Sequence, residues 1–491
     1  MADENRDPVC LPAELVMQIF SYLKCDEMLY GLRVSKQWTC TLTSPMYAPL
    51  WRDMTFSDGK MNRSPSTKEL RKMLSWAGAG GARKIVISRR IMLTDSMLAL
   101  LLEASPSLKH LEFLDLPKDL LFPSNGKTWN RLTYFSLKLC DGEQLFGPRG
   151  DGPGRFPHSF LQNAASSLEH LDLMGIPAQW YDGVPLIPHL PNLKTLRMTQ
   201  IQEMIYVPLP LFPLSTAFPN LEQLFIGPDI PCLDLTPLSI WRERRQFIWP
   251  NLKVLVFEFR SSATSIHYVP KTRLMLQYLT CLNCGNSLQY IRYQFRVEGW
   301  HEIFSIPDPV IPDFDDVQDL NFQNLRFFSS TFFCLSPDGA RTVLFNSLQT
   351  QRLTSFDIVF IKNTVAGRAS LGDLSHLRSY EWARGAPSIQ ALGFYRFRFW
   401  CYPEDCEYHP LAEFVATFPN LRTLSIWSPY YGLPELARLV GMILRVTHLE
   451  TIYMLSVGDE AFAQLRQAAR NQGVRLMEMS EPRQWPVPLG A

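Results

Sequence analysis

Cys281-Leu282-Asn283-Cys284 has the spacing at which two thiolates share a zinc ion, and Cys401, Cys406 and His409 together offer three ligands. A closed structural zinc site takes four, so each group is incomplete, and buried thiols or chance clustering is the favoured reading of both. Gly78, Gly80 and Gly81 lie between a helical pattern through Leu70, Met73, Leu74 and Trp76 and a strand at Lys84-Ile85-Val86-Ile87-Ser88. A phosphate cradle needs a strand before the glycines and a helix after them, so this run reads as a helix stop and a turn. Asp308, Asp313, Asp315, Asp316 and Asp319 form an acidic stretch without EF-hand spacing. There is no Gly-x-Ser-x-Gly elbow, no His-Glu-x-x-His and no Gly-x-Gly-x-x-Gly after a strand. The residue chemistry therefore predicts a non-enzyme with no metal and no cofactor.

A different pattern organises the chain. The phrase Leu-x-x-Φ-x-Φ, with Φ apolar, begins at Leu108, Leu132, Leu168, Leu193, Leu221, Leu252, Leu288, Leu325, Leu353, Leu377, Leu421 and Leu449. The mean spacing of about 31 residues lies just above the 20 to 29 of leucine-rich repeats. In a strand, alternate side chains face opposite ways, so the leading Leu and the two Φ residues point into a shared core. A single strand of this kind is unstable alone; stacked neighbours bury one continuous core. The pattern resembles an irregular leucine-rich repeat array. Several copies lack the Asn that closes a strict repeat. Pro recurs before strand starts, at 106, 191, 219, 250 and 419.

The residues between the core positions must face a partner or solvent. The third position of each phrase supplies His110, Tyr134, His170, Thr195, Gln223, Val254, Tyr290, Phe327, Ser355, Ser379, Thr423 and Thr451. The fifth includes Glu112, Ser136, Asp172, Arg197, Phe225, Val256, Arg292, Ser329 and Asp357. Neither row has one dominant sign, whereas nucleic acid asks for a basic stripe. Aromatics and Arg are enriched at protein interfaces, and Arg197, Phe225, Tyr290, Arg292 and Phe327 form the candidate target-binding patch. The alternative is that Phe225, Val254, Val256 and Phe327 are covered by neighbouring loops. The insertions 141–157 and 306–319 could add to a binding edge or be plain solvated loops.

Composition agrees with a large core and protein partners. Of 491 residues, 46% are hydrophobic and 19% charged, which excludes wholesale disorder. With 48 Lys and Arg against 47 Asp and Glu, no global field draws the chain to nucleic acid or an acidic membrane. No uncharged apolar run approaches the roughly 18 residues of a membrane span. The first ten residues lack a signal-peptide pattern, and the ten Cys are too sparse for a disulfide framework, so a cytoplasmic or nuclear protein is expected.

The first fifty residues are of another kind. Pro12 and Glu14 suit a helix start, followed by Leu15, Ile19, Phe20 and Leu23 as an apolar stripe. A second helix is predicted from Asp26, with Gly31 costing it about 1 kcal/mol relative to Ala. Three short helices in this length cannot bury Leu15, Ile19, Phe20, Leu32, Val34, Trp38 and Trp51 unaided. Leu11-Pro12, Glu14-Leu15, Ile19-Phe20, Leu23, Arg33-Val34-Ser35, Trp38 and Leu50-Trp51 match, in order and approximate spacing, the pattern of an F-box, which the segment resembles.

The resemblance implies a substrate-recognition subunit of an SCF-type cullin ubiquitin ligase. Its F-box would bind a Skp-type adaptor, and cullin through it, while the repeats hold an unidentified target protein. Leu11, Pro12, Leu15, Ile19, Phe20, Leu23, Leu32, Val34 and Trp38 would be the adaptor-binding residues. Two alternatives stay open: these side chains could form a helical cap on the next domain, or the chain could be a scaffold that binds the adaptor or another protein without acting in ubiquitination. The expected fold is α/β, a small three-helix F-box at 8–53, a linker and bridging helix at 54–81, a leucine-rich repeat solenoid with a curved parallel sheet at 82–475, and a tail at 476–491.

Overall fold

The computed structural model describes residues 12–489 except for 57–64, 115–119, 139–156, 175–179, 181–185, 201–209, 229–247, 261–286, 297–321, 331–334, 361–369, 400–408, 455–457, 480–483 and a few single or paired positions. Leu11, Cys281, Cys284, Cys401, Cys406, the acidic stretch 306–319 and nearly all of 141–157 therefore lie outside the described residues. The chain divides into two compact units, Met1–Ile201 with Pro213–Pro219, and Gln202–Phe212 with Asn220–Ala491.

The first unit opens with helices α1 (Ala13–Ser21), α2 (Cys25–Gly31), α3 (Lys36–Leu42) and α4 (Ala48–Trp51). Pro12 takes the position just before α1 and Glu14 its first turn. The helices enclose a small core of Val16, Phe20, Met28, Leu42 and Trp51. Phe20 meets Trp38 edge-on at 5.2 Å between ring centroids. Gly31, which costs helix propensity, has a packing reason: a Cβ there would come within 2.8 Å of the Phe20 ring. Trp51 donates its indole N–H to the Leu42 carbonyl at 2.8 Å and packs its ring 4.8 Å from that of Trp76.

Among the described residues six strands follow in this unit: β1 (Asp53–Phe56), β2 (Lys84–Ile87), β3 (His110–Phe113), β4 (Tyr134–Leu137), β5 (His170–Met174) and β6 (Thr195–Gln200). The described residues of the second unit hold nine: β7 (Gln223–Pro228), β8 (Val254–Arg260), β9 (Tyr290–Arg296), β10 (Phe327–Ser330), β11 (Ser355–Val359), β12 (Ala391–Tyr395), β13 (Thr423–Trp427), β14 (Thr451–Met454) and β15 (Arg475–Glu478). Within each unit the strands lie side by side in chain order and all parallel, making an α/β architecture. Edge strand β1 is covered by α2, which blunts the unpaired row that an edge would present.

The strands pair without stagger. His110, Tyr134, His170 and Thr195 stand opposite one another in β3 to β6, and so do Glu112, Ser136, Asp172 and Arg197. One hydrogen-bond device recurs at most steps: the carbonyl before a strand accepts two consecutive N–H groups of the next. Lys109 receives Thr133 and Tyr134, Thr133 receives Glu169 and His170, and Lys253 receives Gln289 and Tyr290. Leu108, Leu111 and Phe113, like their counterparts in every described phrase strand, are buried, so alternation sets the faces as expected.

Serines supply buried polar links between turns. Ser105 Oγ accepts from the Ala82 N–H at 3.0 Å. Ser347 Oγ donates to the Phe322 carbonyl and accepts from the Leu325 N–H.

The connections carry helices α5 (Thr67–Trp76), α6 (Asp95–Glu103), α7 (His158–Asn163), α8 (Leu211–Ala217), α9 (Pro337–Gln349), α10 (Ser370–Arg378), α11 (Pro410–Ala416), α12 (Leu433–Val446) and α13 (Ala463–Asn471). The bridging helix is α5, started by a Ser66–Glu69 capping box and buried through Leu70, Met73 and Leu74. Gly78 and Gly81 follow it with φ of 82° and 62°, and a Cβ on Gly81 would overlap the Ala104 carbonyl, so the glycines make the turn into β2.

Three expectations are corrected. The phrase at Leu377 is not a strand: it ends α10 and enters a 3₁₀ turn, Glu381–Ala383. The strand of that step is β12, whose leading position is Ile389, buried like the leucines it replaces. The sheet is also longer than its expected bounds, because β1 falls at the end of the helical segment and β15 runs into the expected tail.

Candidate docking surfaces

The apolar residues of α1 serve two faces, not one. Val16 and Phe20, four apart, point into the helical core, while Leu15 and Ile19, also four apart, point out and are 45% and 47% exposed. Val34, after α2, is 66% exposed, and Tyr22, Tyr30 and Met46 are exposed as well. Pro12 is exposed, and Leu23, Leu32 and Trp38 are half-buried. Phe20 therefore differs from its expected place: at 3% exposure it holds the helices together and offers no surface.

The outward face of β3 to β6 is polar and internally paired. The His110 and Tyr134 rings stack at 4.1 Å, Tyr134 lies 6.2 Å from His170, and His170 Nδ1 is 2.8 Å from Thr195 Oγ1. Beside them Lys138 Nζ donates to Glu112 at 2.8 Å and lies 3.8 Å from Asp172 Oδ2, which is also 3.8 Å from Arg197 Nη1. His110 Nε2 sits 3.3 Å from Glu112. The hydrogen bond from His110, assisted by Lys138, holds the Glu112 carboxyl down at about 2 against the cost of burial. Burial pushes Asp172 up, and Arg197 and Lys138 pull it back. Burial, with the Asp172 and Glu112 charges, raises the Tyr134 phenol to about 12. Two cations facing two carboxylates make this a neutralised donor-and-acceptor surface, without a surplus charge to draw an ionic ligand.

The outward face of β7 to β10 carries an apolar cluster. Phe225, Val254 and Val256 are buried, Tyr290 packs against them, and the Tyr290 and Phe327 rings stack at 4.2 Å. Arg292 stands between Val256 and Ser329 in register. The cover on this face is the chain's own segment 484–489, with Trp485, Val487 and Leu489 packed on the cluster. Trp485 meets Phe225 edge-on at 5.5 Å. Gln223 grips the segment's backbone: its Nε2 donates to the Val487 carbonyl at 3.1 Å and its Oε1 accepts the Val487 N–H at 2.9 Å.

Of the expected target-binding patch, Phe225, Tyr290, Arg292 and Phe327 come together on β7 to β10. Arg197 belongs to the first unit's polar face and pairs with Asp172. Sequence reasoning placed Gln223 on this face and allowed that Phe225, Val254 and Val256 are covered by neighbouring loops; it missed Lys138 and that the cover is segment 484–489. The alternation of apolar residues with Pro in Trp485-Pro486-Val487-Pro488-Leu489 was the available signal.

The remaining candidates have structural duties. His409 is buried, and its Nδ1 accepts from the Leu411 N–H at 3.2 Å, capping α11. Burial pulls His409 and His376 down to about 4. Among the described residues no three His, Cys, Asp or Glu stand together in a metal-binding group, and no helix is long and apolar enough to cross a membrane. No protein-family model matches the chain. No curated protein matches its sequence.

Proposed function

We propose that this chain is the substrate-recognition subunit of an SCF-type cullin ubiquitin ligase, with an F-box in α1 to α4 that binds a Skp-type adaptor and a leucine-rich repeat array that holds a target protein. The observation that carries the reading is the exposed apolar set Leu15, Ile19, Tyr22, Tyr30 and Val34, on helices that already have their own core in Phe20, Met28, Leu42 and Trp51. Several large apolar side chains left exposed beside a satisfied core ask for a protein partner. Leu15, Ile19 and Val34 are the central anchors, and Leu23, Leu32 and Trp38 support them. Ubiquitin transfer to the target would occur by proximity, with this chain raising the effective concentration of target lysines and supplying no nucleophile.

The test is co-elution of a purified Skp-type adaptor with the full chain, repeated with Leu15→Asp and Ile19→Asp together. Loss of at least tenfold in affinity is expected, since buried interface anchors are typically worth 2 kcal/mol or more. Equal binding by the variant would sink the assignment. Cullin that fails to co-precipitate with the chain and adaptor together would leave a scaffold outside ubiquitination in its place.

A further inference from the structure

Segment 484–489 sits on the outer face of β7 to β9 as a bound peptide would. It touches the sheet through alternate side chains, Trp485, Val487 and Leu489, all of them only partly buried. Its backbone is read by one side-chain amide, Gln223, in place of a strand ladder. Pro486 and Pro488 occupy the intervening positions, where a missing N–H costs nothing and the ring limits the conformations the segment can adopt. The receiving surface is also distinct along the sheet: Phe225, Val254, Val256 and Tyr290 stand where β11 carries Ser355 and Asp357 and β13 carries Thr423 and Ser425.

We propose that the outer face of β7 to β9 is a docking surface for a proline-spaced apolar peptide, that segment 484–489 is its intramolecular occupant, and that a partner protein presenting such a peptide displaces it. The inference rests on reading this sheet face as the target-docking surface and does not depend on the adaptor. A side-chain clamp on the N–H and C=O of one residue recognises backbone whatever the sequence, and contacts through alternate side chains select the ligand. Proline spacing lowers the entropy lost when such a ligand is ordered. A tethered occupant competes at an effective concentration of about a millimolar, so weak external peptides are excluded and tight ones admitted.

The experiment measures fluorescence anisotropy of a labelled peptide of residues 483–489 with three proteins: the intact chain, a chain ending at Met479, and the full-length chain carrying Val487→Asp and Leu489→Asp. Both opened proteins are expected to bind at least tenfold more tightly than the intact chain. Gln223→Ala in either should weaken binding about fivefold, and a peptide with Trp485 and Leu489 replaced by Ser should not bind. Opened proteins that keep their thermal transition yet bind no better than the intact chain overturn the proposal. Loss of the cooperative transition in both opened proteins overturns it too, since the segment would then be part of the fold. Adaptor co-elution on the same preparations separates the readings: peptide failure with adaptor bound sinks the peptide-docking surface alone, and adaptor failure with peptide bound sinks the ligase assignment alone.

Discussion

Leu15 and Val16 are neighbours in sequence with opposite work, and so are Ile19 and Phe20. The difference is readable in stability. Phe20→Ala removes a buried ring that fills the space over Gly31, so a loss of about 3 to 5 kcal/mol is expected in thermal or denaturant unfolding of the helical region. Ile19→Ala, on the exposed face, should stay within about 0.5 kcal/mol. Sequence periodicity merges the two residues into one stripe, because faces one residue apart on a helix differ by only 100° and three-dimensional packing chooses between them. His409 gives a second test. A histidine held neutral by burial takes its proton at 6.5 when unfolded and near 4 in the fold, so stability is full above 6.5 and is lost as pH falls through that window. About 3 kcal/mol is at stake by pH 4, with His376 adding in the same direction. His409→Asn retains a capping oxygen for Leu411 and removes the titration, so its melting temperature should fall less between pH 6.5 and 4; parallel curves for the two proteins would refute the assignment.

The elements were legible wherever Leu marks the step. Strands β3 to β11, β13 and β14 begin at the third residue of the phrase, because the leading Leu is buried and, at β3 to β6, β8 to β11, β13 and β14, the next two N–H groups share the neighbour's carbonyl. The pattern failed at β12, where Ile389 takes the leading place and Leu377, buried in α10, imitates it. A pattern of leucines cannot distinguish a buried helix residue from a strand residue of equal hydrophobicity. Ile389→Ala should therefore cost the second unit about 2 to 5 kcal/mol, as truncation of Leu353 or Leu421 would, measured by denaturant unfolding; a cost under about 1 kcal/mol would show that β12 does not share the repeat's core. The ends of the sheet were invisible for a related reason. Trp51 leads β1 and is also the last residue of the helical pattern, while β15 has Gly473, at φ 74°, in the leading position. The glycine turn before β2 was legible from residue order alone.

At the scale of the whole chain the charges cancel, and they also cancel locally on the polar face, where Glu112 and Asp172 meet Lys138 and Arg197. The surface that the proposal assigns to the adaptor is apolar, and so is the cluster under segment 484–489. The sequence made the polar character of one stretch of sheet and the apolar character of another visible in its third and fifth positions. It could not show that the apolar stretch is already occupied, since Gln223 and Val487 are 264 residues apart. These facts fix how association should respond to salt. Charge-steered encounter falls steeply as ionic strength rises, because screening shortens the reach of the field to about 10 Å at 0.1 M. A net charge of +1 adds little long-range attraction to an encounter made through apolar contact surfaces. Stopped-flow association of the adaptor, and of the labelled peptide with an opened chain, should change by less than about threefold between 50 and 300 mM salt, while Leu15→Asp with Ile19→Asp should act mainly on adaptor dissociation. A tenfold fall in association rate over that range would place the recognition in charged residues and not in Leu15, Ile19 and Val34.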